Sequence, residues 1–174
     1  MLAAVAAATG ILLGGAAPAR AADGELEVRV KAAYVLNFAA FVSWAPEALD
    51  ATEPLRICVL GDEALLDALR KLSRRKVGER RLEIRSGQDQ ADPGDCHILV
   101  IGRSEGPRLT RLLEQLADRC VLTVGDLPGF CAGGGMIGFV AESGRIRLEI
   151  NPRAAAEARL VLRAKLLEVG KTVP

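Results

Sequence analysis

Four cysteines and one histidine are the residues of this 174-residue chain whose types most readily do chemistry. Cys58, Cys96, Cys120 and Cys131 form no CxxC pair and match no zinc-ligand spacing, so a thiol oxidoreductase and a structural zinc site both lack their motifs. His97 opens an apolar strand with no acid or nucleophile beside it, and reads as a satisfied structural histidine rather than part of a triad. No catalytic residue, metal ligand set or cofactor is therefore expected. Disulfide chemistry remains, provided the compartment is oxidising.

The N-terminus argues that it is. Met1 to Ala22 is almost wholly Ala, Leu, Gly, Val and Ile, and its densest apolar stretch, Leu2 to Leu13, is shorter than the roughly 20 residues that cross a bilayer. Ala19-Arg20-Ala21 then supplies an A-x-A site, so residues 1–21 read as a secretory signal cleaved after Ala21, although no Lys or Arg precedes the apolar run. Residues 22–174 are expected to form one domain in the periplasm. The formal charge of +1 becomes zero when Arg20 is removed, which gives no electrostatic case for nucleic acid.

The elements that would position these residues follow from periodicity. Val28, Ala32, Val35, Ala39 and Val42 mark a first helix over 26–44, stopped by Pro46. Leu55 to Leu60 reads as a buried strand, with Gly61-Asp62 as turn and N-cap for a helix over 64–72. Arg81 to Arg85 alternates as a one-sided strand, and His97 to Ile101 is the most continuous apolar strand. Leu109 to Leu116 is a helix, Val121 to Val124 a fourth strand, and Met136 to Ala141 with Arg145 to Ile150 a hairpin. Asn151 caps a last helix starting at Pro152. This order implies a three-layer α/β/α sandwich: a mixed sheet with central parallel strands near 57 and 99 and the hairpin at an edge.

On that frame, Cys58 and Cys96 fall in and just before neighbouring central strands, at a separation suited to a disulfide. Closing a loop of about 39 residues is worth roughly 4 kcal/mol. Cys120 and Cys131 are candidates for a second bond, which the strand direction disfavours. The loop Gly125 to Gly135 is a candidate ligand or partner loop through Asp126, Phe130, Gly133, Gly134 and Gly135. It lacks the Lys, the Ser/Thr and the following helix of a phosphate cradle, so flexibility or a bulge before the hairpin is the simpler reading. Asn37, Phe41 and Trp44, on the aromatic part of the first helix, are candidate interface residues. The basic run Arg74-Arg75-Lys76 with Arg80 and Arg81 reads as a solvated face.

Several ordered blocks also resemble one family. Lys31-Ala32-Ala33-Tyr34-Val35-Leu36-Asn37-Phe38-Ala39 with Phe41 and Trp44, Leu55 to Gly61, Cys96-His97-Ile98-Leu99, Leu122 to Asp126, Ile137-Gly138-Phe139 and Leu148-Glu149-Ile150-Asn151 are similar to the YfiR family. The resemblance implies a dimeric periplasmic regulator without enzymatic activity. Such a protein binds the periplasmic part of an inner-membrane diguanylate cyclase, or another membrane sensor, and holds it inactive. An outer-membrane lipoprotein then sequesters it, and cyclic-di-GMP rises, favouring biofilm. Cys58 and Cys96 fall where the family places one disulfide. Members with a second pair carry a cysteine about seven residues beyond Cys131, where this chain has Gly138. The alternative is a periplasmic small-ligand sensor serving a histidine kinase or transporter through the loop at Asp126 to Gly135.

Overall fold

The computed structural model describes residues 17–89, 92–142 and 144–173. Among them run α1 (Ala17–Phe41), β1 (Val42–Ser43), β2 (Leu55–Leu60), α2 (Glu63–Leu72), β3 (Lys76–Val77), β4 (Arg80–Ser86), β5 (Ile98–Ile101) and α3 (Leu109–Leu116). There follow β6 (Leu122–Gly125), β7 (Ile137–Glu142), β8 (Arg145–Ile150), α4 (Pro152–Glu157), β9 (Val161–Leu162), α5 (Ala164–Val169) and β10 (Lys171–Thr172). Most of the expected leader, residues 1–16, lies outside the described residues.

The main sheet has the order β10-β8-β7-β6-β5-β2-β4-β3. Strands β4, β2, β5, β6 and β7 are parallel, and β7 and β8 form the antiparallel hairpin. As expected, β2 and β5 are parallel neighbours at the centre, with Ile57 opposite Ile98. Their side chains are buried on both faces, which is why they read as unbroken apolar runs. The hairpin stands next to the edge, with only the two-residue β10 beyond it.

Two apolar layers sandwich this sheet. On one face α1 and α2 cover Ile57, Val59, Ile98, Val100, Leu122 and Val124 through Val35, Phe38, Leu65 and Leu69. Tyr34, Phe38 and Phe139 form an aromatic cluster there, with centroids about 6 Å apart, 5.9 Å for the closest pair. On the other face α3 lays Leu112 and Leu116 over Leu99, Ile101, Phe130 and the Cys58–Cys96 pair. Helix α2 starts where Asp62 accepts from the Leu65 N–H at 2.9 Å, and α4 where Asn151 accepts from that of Ala154, also at 2.9 Å.

Two expectations are corrected, and one candidate bond, already disfavoured by strand direction, is not formed. The first helix ends at Phe41 rather than Trp44, because Val42–Ser43 leaves it to pair antiparallel with Val161–Leu162 and the Phe41 carbonyl accepts from Arg163 N–H at 2.9 Å. The helix at Pro152 is not the last element; β9, α5 and β10 follow it. Cys120 and Cys131 are free, because the sheet lies between them: Cys120 packs with the α1–α2 layer and Cys131 with the α3 layer.

Candidate functional site

Parallel α/β sheets ordinarily bind ligands beyond the carboxyl ends of their strands, and here that end is shut. A Cβ built on Gly102 would collide with the Gly61 carbonyl oxygen, so β2 and β5 touch backbone to backbone as they leave the sheet. The Gly102 N–H donates to the Leu60 carbonyl at 2.7 Å. Gly125 and Gly135 flank the Phe130 ring: a Cβ at Gly125 would lie 2.6 Å from it, and one at Gly135 closer still. Phe130 itself is 1% exposed. The glycines of this loop therefore make room for an internal side chain. The loop is short because β7 starts level with the end of β6, Gly138 lying opposite Gly125, so no helix is needed in the crossover.

Asp126 seals the same end from the other face. It accepts from Lys31 Nζ at 2.9 Å and from Arg103 Nε at 3.1 Å, while Lys31 also reaches Glu27 at 2.6 Å. Lys31 is buried on α1. Burial works against its ammonium, but the hydrogen bonds to Asp126 and Glu27 and their charges outweigh it, and its pKa is raised. Asn151 completes the closure, its Nδ2 donating to the Cys131 carbonyl at 3.0 Å. Burial pushes the Cys131 thiol up to about 12, so it is an inert packing group. Its sulfur lies 3.2 Å from where a Cβ on Gly138 would be.

The opposite end, where β2, β5 and β6 begin, is open. A depression of about 550 Å³ there is lined by Arg56, Cys96, His97, Arg119, Cys120 and Arg159 with neighbouring residues of 45–48. Cys58 and Cys96 are joined by a disulfide with a Cα–Cα distance of 5.9 Å, and both are buried, with Cys96 at the wall of the depression. Cys120, half-buried, lies in the same wall. His97 accepts the Arg56 backbone N–H on Nδ1 at 2.9 Å, which leaves the proton on Nε2, toward the Ala48 carbonyl. Burial first, and then the Arg56 guanidinium, lower its pKa to about 4. It is a neutral structural ligand of the backbone, in line with its reading from the sequence.

The rest of the sequence-derived candidates scatter. Asn37 faces solvent while its neighbour Phe38 is core, so the helix separates the polar residue from the aromatic stripe. Phe41 and Trp44 are half-buried, with Lys165 5.7 Å over the Phe41 ring. Of the basic run, Lys76, Arg80 and Arg81 lie in the edge hairpin β3–β4, which turns at Gly78 with φ of 62°, and Arg74 and Arg75 precede it. Lysine on such an edge discourages sheet-to-sheet pairing. Among the described residues, no three His, Cys, Asp or Glu gather as a metal site, and no helix is long and apolar enough to cross a membrane.

Sequence reasoning missed Lys31 and Arg159. Lys31 had one signal, a lysine four residues after Glu27 bordering an apolar stripe. Arg159 takes a left-handed φ of 59° after the C-cap of α4, where the Leu160 N–H reaches the Ala155 carbonyl. Glycine is the usual residue there, so nothing in the sequence announced the turn.

None of the curated proteins compared with the chain matches it. A family model described as YfiR/HmsC-like does, over residues 28–171, a span that runs from the middle of α1 to the start of β10 and takes in the disulfide, the closed loop and the hairpin. The chain belongs to the YfiR/HmsC-like family.

Proposed function

We propose that this protein is a periplasmic, non-enzymatic regulator that binds the periplasmic part of an inner-membrane diguanylate cyclase and holds it inactive, lowering cyclic-di-GMP. The observation that carries the reading is membership of a regulatory family across residues 28–171. Its export by a signal at residues 1–21 agrees with the cystine at 58 and 96, since such bonds persist in oxidising compartments. Repression is linkage: the regulator shifts the cyclase by as much as its affinities for the inactive and active forms differ. A homodimer is the binding species, and an outer-membrane lipoprotein relieves repression by taking the regulator away. Reduction of Cys58–Cys96 weakens the fold and releases the cyclase.

The test is co-expression with a diguanylate cyclase encoded beside it. Cellular cyclic-di-GMP is expected to fall when the native chain is present and to stay high with Cys58→Ser/Cys96→Ser. Equal levels with and without the native chain reject the repressor role. The alternative, ligand sensing through Asp126 to Gly135, is disfavoured by Phe130 filling that loop and by the bonds that Asp126 already makes.

A further inference from the structure

Seven of the 23 lysines and arginines lie within the twelve residues Arg70 to Arg81, against one acid, Glu79. The rest of the chain holds 16 cations and 21 acids, so charge is segregated although the total is near neutral. The seven come together at one corner, where α2 ends, the chain turns over 73–75 and the hairpin β3–β4 makes the sheet edge. Arg70 and Lys71 complement the carboxyl end of the α2 dipole. Arg80 turns inward, its Nη1 donating to the Asp50 and Glu53 carbonyls. Neither role extends to Arg74, Arg75, Lys76 and Arg81, which are exposed.

The acids nearby neutralise little of this charge. Arg70 meets Asp67 and Lys76 meets Glu79, both at 3.6 Å and between exposed side chains, where an ion pair is worth little. Glu83 is taken by Arg85 at 2.6 Å. Lys71, Arg74, Arg75 and Arg81 meet no carboxylate among the described residues.

A protein interface is anchored by apolar and aromatic side chains at its centre. The exposed large hydrophobics, Leu26, Val140, Val161 and Val169, all lie on other elements. Single-stranded nucleic acid is held by aromatic stacking as well as charge, and no aromatic residue occurs from 70 to 81. An anionic bilayer needs neither, because roughly four to eight flexible cations on a protruding surface suffice for its diffuse field. We infer that this corner docks on an anionic lipid surface, with Lys71, Arg74, Arg75, Lys76 and Arg81 among the headgroup phosphates. The inference stands apart from the cyclase reading, since its test needs no partner protein.

The test is co-sedimentation of the exported protein with vesicles of phosphatidylglycerol mixed into phosphatidylcholine, against vesicles of phosphatidylcholine alone. Binding is expected only to the mixed vesicles at about 50 mM salt, and should be lost by about 0.5 M as screening shortens the field. Lys71→Gln/Arg74→Gln/Arg75→Gln removes three exposed cations and should weaken binding about a hundredfold. Arg111→Gln/Arg145→Gln/Arg153→Gln, the same change in net charge on other exposed surfaces, should weaken it less than about threefold. The inference is overturned if the mixed vesicles are not bound at low salt, if phosphatidylcholine alone binds as well, or if the two triple variants weaken binding equally. Absence of vesicle binding together with a salt-sensitive complex with an acidic protein domain would overturn it in favour of a protein partner.

Discussion

The two ends of the parallel strands are built in opposite ways. At the carboxyl end, glycines admit Phe130 and let β2 and β5 touch, while the buried Lys31–Asp126 pair sits over the α1 side. At the amino end, the disulfide and His97 form the wall of an open depression, and the arginines there make half-exposed pairs such as Arg119–Asp92, at 2.7 Å. A glycine-rich loop at a strand end is thus ambiguous in a sequence. Glycine permits close approach, and here the approaching group belongs to the protein itself. Physical consequences separate the ends: charge removal is costly where the pair is buried and cheap where it is wet.

The largest effect is expected at the disulfide. Cys58→Ser/Cys96→Ser should lose roughly 4 kcal/mol of stability in urea denaturation, because the native bond closes a long loop in the unfolded chain. A loss under 1 kcal/mol would mean that the open end does not depend on it. Next, Asp126→Ala leaves Lys31 buried with only the more exposed Glu27, and should cost about 3 kcal/mol. Arg119→Ala, the matched change at the open end, should stay within about 0.5 kcal/mol. Similar costs for the two variants would erase the contrast.

Gly138→Cys should then gain about 2.5 kcal/mol under oxidising conditions by pairing with Cys131 across a short loop. The Cβ-to-sulfur distance of 3.2 Å is close to the ~3 Å that disulfide bond lengths imply, and the other neighbours lie at ordinary contact. Disulfide mapping by mass spectrometry reads the bond directly, and a free thiol at 138 would contradict the register. A further effect concerns His97, whose folded pKa of about 4 is below its ordinary 6.5. Its contribution is complete above pH 6.5 and drains away as the pH falls toward 4, amounting to about 2 kcal/mol by pH 5. The urea midpoint of a His97→Asn variant should change less over that range than that of the native chain.

Much of this fold was legible because burial leaves a period. The runs at 55–60 and 98–101 are apolar on both faces and became the central strands, while Ile146, Leu148 and Ile150 alternate with charges and became the half-wet arm of the hairpin. Asp62 and Asn151 announced their helices by side-chain chemistry local to the turn. The two-residue strands β1, β3, β9 and β10 carry no such period. β3 forms through the local turn at Gly78, whereas β1, β9 and β10 exist because tertiary packing brings Val42 beside Leu162 and Thr172 beside Ile150. The free state of Cys120 and Cys131 was only partly legible: strand direction argued against the bond, but which face each presents depends on where β6 ends and the loop turns. The cystine was legible because it joins neighbouring strands.

Equilibrium binding between the purified, oxidised protein and the periplasmic domain of a diguanylate cyclase encoded beside it should give a saturable complex that weakens when the cystine is reduced. No complex with the oxidised protein, at concentrations where both components are folded, would contradict the repressor reading.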